Sequence, residues 1–509
     1  MAGSIMIQGT MSNVGKSLLC AALCRVLRQD GYSCAPFKSQ NMALNSGVTW
    51  DGLEMGRAQI LQAAAAGAEP DVRMNPILLK PSSDTGSQVI INGKAAGQYS
   101  AREYFTQRKR LIPVILEAYE SLAREHDVIV IEGAGSPAEI NLKKDDIVNM
   151  GLAELVDAPV LLAGDIDPGG VFAQLYGTVM LLEERERSRI KGLIINKFRG
   201  DVSLLGPGIV MLEERLGIPV TGVIPWMNLK LDDEDSMALD RKIRRHDRPV
   251  DIAVIRFPRI SNFTDLDALD SHPLLGVRYV SGEDEFGEPD MVILPGTKST
   301  LQDLRWLREC GIAERILDAA SEGRYILGIC GGYQMLGASL SDPDGTEGMG
   351  PVLNERGLGL LPVTTLFRAD KTLRRVQGEI REGYLAGSHV NGYEIHNGIT
   401  VAQELSEAGD TDREWGSADC GTDLRDMAGV IHVCARGSIC GTYLHGLFDS
   451  GEATDALAKR LAAKKGLPEP SFISPDRKLE LERQLDTLAE VFRGHMDMER
   501  IYRIIERRQ

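Results

Sequence analysis

No two cysteines in this chain stand at C-x-x-C spacing. All eight lie scattered, at 20, 24, 34, 310, 330, 420, 434 and 440, so neither a zinc knuckle nor a disulfide framework is expected. No run of about 18 apolar residues exists, which excludes a membrane-spanning helix. Met1 to Gln8 pass straight into a strand pattern, without the charged region and apolar core of a secretion leader. Positive charge is in deficit, with a formal net charge of −16. That argues against a general nucleic-acid or anionic-membrane binder, while leaving room for a local basic pocket. A reducing, cytoplasmic setting is the expectation, and the oligomeric state is left open.

What is present is an ordinary globular balance, 43% hydrophobic and 26% charged, over 509 residues. That length is too great for one domain and fits about two, plus extensions. Buried-strand patterns alternate with helical spans through both halves, which predicts two doubly wound α/β domains. The boundaries read as 1–230 for the first domain, a charge-dense linker at 231–248, a second domain at 249–450, and a helical extension at 451–509 covering the second domain.

Near the start, a short strand (Ser4 to Gln8) meets Gly9-Thr-Met-Ser-Asn-Val-Gly15-Lys16-Ser17 and then a helical apolar pattern. Strand, glycine loop and helix are the setting of a phosphate-binding loop. Backbone N–H groups around Thr10, Asn13 and Gly15 would wrap the phosphates of ATP. Lys16 would neutralise them, and the Ser17 hydroxyl would meet Mg²⁺. Five residues separate Gly9 from Gly15, where four are usual. Lys38, in the polar loop Phe37 to Met42, is a candidate contact for phosphate or a substrate carboxylate, or a solvated loop lysine. Asp51 is a candidate metal ligand or a charge at a helix start.

The run Asp127 to Glu132 is a continuous buried strand ending in one acid and small residues. Glu132 is therefore the candidate carboxylate for orienting Mg²⁺ beside the phosphates. Val160 to Asp165 repeats that logic. Asp165, Asn196 and Lys197 stand at strand ends as candidates for binding nucleotide or substrate.

In the second half, Tyr325-Ile-Leu-Gly328-Ile-Cys330-Gly-Gly332 reads as strand, sharp turn and helix. Gly328 and Gly332 flank Cys330 at the G-x-C-x-G spacing of a nucleophile elbow. The first N–H groups of the following helix would favour the thiolate. The turn Pro295-Gly296-Thr would face the nucleophile, the N–H groups of Gly296 and Gly331 forming an oxyanion hole. Of eight histidines, His445 is the best-placed base, after an apolar run and before Gly446; His396 is its competitor.

These residues resemble the triad-type (class I) glutamine amidotransferases, which strip ammonia from glutamine. That family often carries a glutamate two residues after the histidine. Here the place is Leu447, so no third acid is identified and the unit reads as a Cys–His dyad. The longer N-terminal loop resembles that of dethiobiotin synthetase and its relatives. Joined, the halves resemble the cobyrinic-acid-type glutamine amidotransferase family. The resemblance covers residues 3–450. It rests on Gly9–Ser17, Phe37–Met42, Glu132–Gly135, Asp165–Ala173, Asn196–Asp201, Arg259–Asp267, Pro295–Thr300, Gly328–Gly337, Gly392–His396 and Gly441–Phe448.

The resemblance implies ATP- and glutamine-dependent amidation of the b, d, e and g carboxylates of a corrinoid, adenosylcobyrinic acid a,c-diamide. Amidation at the a and c carboxylates, or of another acceptor, is the neighbouring reading. A partitioning-type ATPase switch is a different class. Such switches carry an extra lysine five residues before the loop lysine, where this chain has Met11, and have no use for a Cys330 elbow.

Overall fold

The computed structural model describes residues 2–82, 86–229, 231, 248–348, 350–402, 429–431 and 433–506. The linker expected at 231–248 lies almost wholly outside the described residues.

The first domain is built on six parallel strands. Their spatial order is Val220–Pro225, Ile190–Phe198, Val160–Asp165, Gly3–Gly9, Val128–Glu132, Cys34–Phe37. The central strands are buried on both faces, as their uninterrupted apolar runs require. The strand bearing the glycine loop lies between those ending in Glu132 and Asp165, so all three termini open at one edge. A four-stranded sheet is appended: Gln40–Met42, Ile77–Pro81, Gly86–Ile91 and Lys94–Ser100. A small hairpin, Ser46–Val48 with Glu54–Gly56, leads directly into the helix Arg57–Ala66.

The second domain has its own six-stranded sheet, in the order Leu275–Val280, Val250–Ile255, Met291–Leu294, Tyr325–Ile329, Ile439–Thr442, Cys434–Arg436. Only the last strand is antiparallel to its neighbour. Projecting from this domain is a long hairpin, Val363–Ile380 against His389–Ala402. It reaches the first domain, where Tyr393 and Ile395 pack with Val48 in a separate apolar cluster.

The extension is divided between the domains. Helix Glu452–Lys464 does cover the second domain, burying Leu457 and Leu461 in its core. Helices Arg477–His495 and Met498–Ile505 instead return to the first domain. Leu485, Leu488, Phe492, Ile501 and Ile505 share a core with Ile5, Leu19 and Leu23. Arg25, 7% exposed in its side chain, is held by Glu482 and Asp486, each at 2.8 Å. Apolar spacing marks a face to bury without saying which domain supplies its partner.

Candidate active site

Gly328, Gly332 and Cys330 each meet the demands of a tight elbow. Cys330 has φ 51° and ψ −107°, a conformation that an L-residue adopts only under strain. A Cβ at position 332 would stand 1.9 Å from the Leu294 carbonyl oxygen. One at 328 would stand 2.7 Å from the backbone N of Tyr333. Only glycine permits these approaches. The elbow presents Cys330 at the mouth of the central strand, where its thiol donates to the Ile395 carbonyl at 3.4 Å.

His445 arrives from the end of the neighbouring strand, Ile439–Thr442. Its Nδ1 lies 2.6 Å from Asp265 Oδ2, and Asp265 Oδ1 accepts from Gly446 N–H at 3.0 Å. All three residues are buried. Burial alone would lower the histidine's pKa. The charge and hydrogen bond of Asp265, joined by the interaction with Cys330, outweigh burial and raise it to about 10. With Nδ1 committed to Asp265, Nε2 is the nitrogen left for chemistry at sulfur. The candidate dyad thus gains a third, orienting candidate in Asp265. This acid comes from the loop after the second domain's first strand rather than from position 447, and Leu447 is a buried core residue.

His396 lines the same cavity but is engaged differently. Its Nδ1 hydrogen-bonds the Gly398 carbonyl at 2.7 Å, and its ring stacks on Tyr443 with centroids 3.7 Å apart. Gly296 and Gly331 do converge beside the triad. A Cβ at 296 would lie 3.1 Å from His445 Cε1, and one at 331 would lie 3.1 Å from Thr297 N.

In the first domain, the glycine loop turns through Asn13 (φ 60°) and Gly15 (φ 96°) into the helix Lys16–Gln29. Lys16 Nζ lies 3.0 Å from the carbonyls of Met11 and Gly135, across the mouth of a cleft of about 930 Å³. Ser17 Oγ donates to Glu132 Oε1 at 2.9 Å. Glu132 also accepts from Lys38 Nζ at 2.8 Å and from Gln62 Nε2 at 2.5 Å. Lys38 is only 5% exposed, so it is not a solvated loop lysine.

One hydroxyl and one carboxylate, side by side at the phosphate loop, are a hard-oxygen pair suited to Mg²⁺ that takes its remaining ligands from phosphates and water. Among the described residues no cluster of three or more His, Cys, Asp or Glu suited to a metal occurs.

The remaining expected site residues are engaged in other contacts, Lys197 while also lining the cleft. Asp51 does not line the cleft; its carboxylate accepts from Thr49 Oγ1 at 2.5 Å in a turn facing the long hairpin. Asn196 donates to the Val14 carbonyl at 2.7 Å and so braces the loop from behind. Lys197 bonds the Asn13 carbonyl at 2.5 Å and pairs with Asp165 at 2.7 Å. Thr10 Oγ1 donates to Gln174 at 3.2 Å. Asp165, Asn196 and Lys197 therefore form a support that fixes the loop's shape. Gln62 carries no local signal in the sequence, being one of two glutamines in an alanine-rich helix.

Comparison with known proteins adds to this geometry. Residues 5–236 match the model of the CobQ/CobB/MinD/ParA nucleotide binding domain. Residues 251–453 match that of the CobB/CobQ-like glutamine amidotransferase domain. The chain is 52% identical to the cobyric acid synthase of Ruminiclostridium cellulolyticum, over 99% of this chain and 98% of that one. It is 51% identical to that of Lachnoclostridium phytofermentans, over 99% of each. It is also 51% identical to that of Salmonella typhimurium, over 100% of this chain and 99% of the other.

Proposed function

The chain belongs to the cobyric acid synthase family, and from that footing we propose that it amidates the b, d, e and g carboxylates of adenosylcobyrinic acid a,c-diamide to adenosylcobyric acid. The nitrogen comes from glutamine and the driving force from ATP. The observation that carries this reading is the presence, in one chain, of a Cys330–His445–Asp265 triad and a Lys16–Ser17–Glu132 phosphate site in facing domains.

A carboxylate is a poor electrophile, so ATP must first convert it to an acyl phosphate. Backbone N–H groups of Asn13 to Ser17 cradle the phosphates, and Lys16 offsets their charge. Ser17 and Glu132 would hold Mg²⁺, which supplies charge neutralisation on the transferring phosphoryl group. Lys38, paired with Glu132 at 2.8 Å, lines the same cleft and adds positive charge for the incoming anion.

In the second domain the proton shared by Cys330 and His445 rests on the imidazole, whose cation Asp265 stabilises. The thiolate attacks the glutamine amide, with the developing oxyanion against the N–H groups of Gly296 and Gly331. His445 then returns the proton to the leaving ammonia, and water releases glutamate from the thioester. Among the described residues no helix is long and apolar enough to cross a membrane. A cytoplasmic location, a corrinoid partner and no role for nucleic acid complete the reading.

The test is mass spectrometry of the corrinoid diamide incubated with protein, ATP and glutamine. One loss of about one dalton is expected for each of the b, d, e and g carboxylates. An unchanged mass would refute the assignment of this acceptor.

A further inference from the structure

The cavity around Cys330 and His445 is not walled by the second domain alone, because Lys80 of the first domain lines it as well. Behind Lys80, the buried peptide of Ser46 is gripped from the other side. Asn262 Oδ1 accepts from Ser46 N–H at 3.2 Å, and Asn262 Nδ2 donates to the Ser46 carbonyl at 3.3 Å. The two groups bond as paired strands do, although 216 residues separate them. Tyr393 OH donates to the same carbonyl at 3.2 Å and accepts from Asn262 Nδ2 at 3.2 Å. Ser46, Asn262 and Tyr393 are all buried.

Both second-domain residues bear directly on the triad. Asn262 holds φ 52° at the start of the short turn that carries Asp265. Tyr393 exchanges two backbone hydrogen bonds with His445, at 3.1 and 2.9 Å, and stacks on its ring at 5.4 Å and 21°. One peptide of the first domain thus anchors both the residue packed on the imidazole and the turn that aims its carboxylate.

That peptide is itself fixed. Ser46 Oγ donates to Glu54 at 2.7 Å. Glu54 is paired with Lys80 of its own domain at 2.7 Å and with Lys371 of the long hairpin at 2.5 Å. The strand carrying Glu54 continues into the helix whose Gln62 bonds Glu132 at 2.5 Å and the Ser17 carbonyl at 3.2 Å. A single covalent segment, residues 46–62, therefore touches both reaction centres.

We propose that the glutaminase centre is completed by the first domain: Asn262 and Tyr393 are positioning residues that hold His445 and Asp265 in register only while the Ser46 peptide is docked between them. This rests on the function proposed above. It goes beyond that function by assigning the histidine's alignment to an interdomain contact. Misplacing an imidazole slightly slows the chemical step while leaving ground-state binding of glutamine intact.

The test uses the full chain with Tyr393→Phe, which keeps the ring and removes one hydroxyl, and Asn262→Gly, which tolerates the positive φ. Steady-state glutamine hydrolysis and the pH dependence of Cys330 alkylation by iodoacetamide are read together with thermal stability. Each variant is expected to lower kcat about tenfold at unchanged KM and to move the alkylation midpoint upward in pH. The double variant should lose less than the product of the single losses, since both act through one peptide. Rates within twofold of the parent and an unmoved alkylation midpoint would overturn the proposal. That result is distinct from failure of the proposed function, in which the parent itself hydrolyses no glutamine. In that case the alkylation profiles of parent and Tyr393→Phe still decide the point.

Discussion

Asp265 Oδ2 and His445 Nδ1 meet at 2.6 Å across 180 residues of chain, with both groups buried. This contact turns a cysteine and a distant histidine into an aligned unit, and it governs the behaviour of His445 with pH. The folded histidine titrates at about 10, above its ordinary 6.5. Its pairing therefore contributes stability that is whole below about pH 6.5 and is lost as pH rises toward 10.

Asp265→Asn removes the charge and keeps the shape. Burial then dominates and the histidine falls toward or below its ordinary value. We expect glutamine hydrolysis to drop roughly 10²-fold or more, while amidation driven by added ammonia persists. The thermal midpoint of the variant should lose its decline between neutral and alkaline pH. A retained pH slope would show that another group supplies it.

Gly332→Ala tests the elbow. The added methyl would meet the Leu294 carbonyl oxygen at 1.9 Å, a backbone atom that cannot swing away. A destabilisation of about 1–3 kcal/mol or more is expected in denaturant unfolding, with glutamine hydrolysis lost.

The elbow and the phosphate loop are legible in sequence because their constraints are local. Glycine spacing around Cys330 and before Lys16 reports backbone geometry within a single strand–turn–helix unit. Asp265 is not legible in that way. Its loop follows the strand Val250–Ile255, and only the sheet order, with Met291–Leu294 between, brings that strand's end to the same edge as those of Tyr325–Ile329 and Ile439–Thr442. The long hairpin is similar, since nothing in the sequence of Val363 to Ile380 gives its reach to Val48. Asn196 and Lys197 look like ligand contacts because they end a buried strand. Their side chains also hold the loop's own carbonyls, and Lys197 still lines the cleft.

Removing residues 480–506, which leaves Arg477 on the second domain, should expose the face of the helix Lys16–Gln29 that now packs on Leu485, Leu488 and Phe492. Arg25 would also lose both acidic partners. Faster amide exchange is expected in that helix and in the strand Gly3–Gly9, with the second domain's sheet unaffected. Uniform exchange throughout the chain would contradict the placement of these helices on the first domain.

Lys16→Ala and Glu132→Gln address the phosphate site. Lys16→Ala removes charge from the loop. Glu132→Gln removes the carboxylate charge, and one of the two accepting oxygens, shared by Ser17, Lys38 and Gln62. Both should abolish amidation with glutamine and with ammonia alike, because neither nitrogen source can react with an unactivated carboxylate. An ammonia-driven rate equal to the parent's would remove this site from the reaction.

Whether one chain joins an ammonia source to a separate site of carboxylate activation is decided by Cys330→Ala, assayed for corrinoid amidation with ATP and either glutamine or ammonium chloride. The expected result is no product from glutamine and a near-parental rate from ammonia. Equal loss with both nitrogen donors would contradict the two-centre mechanism.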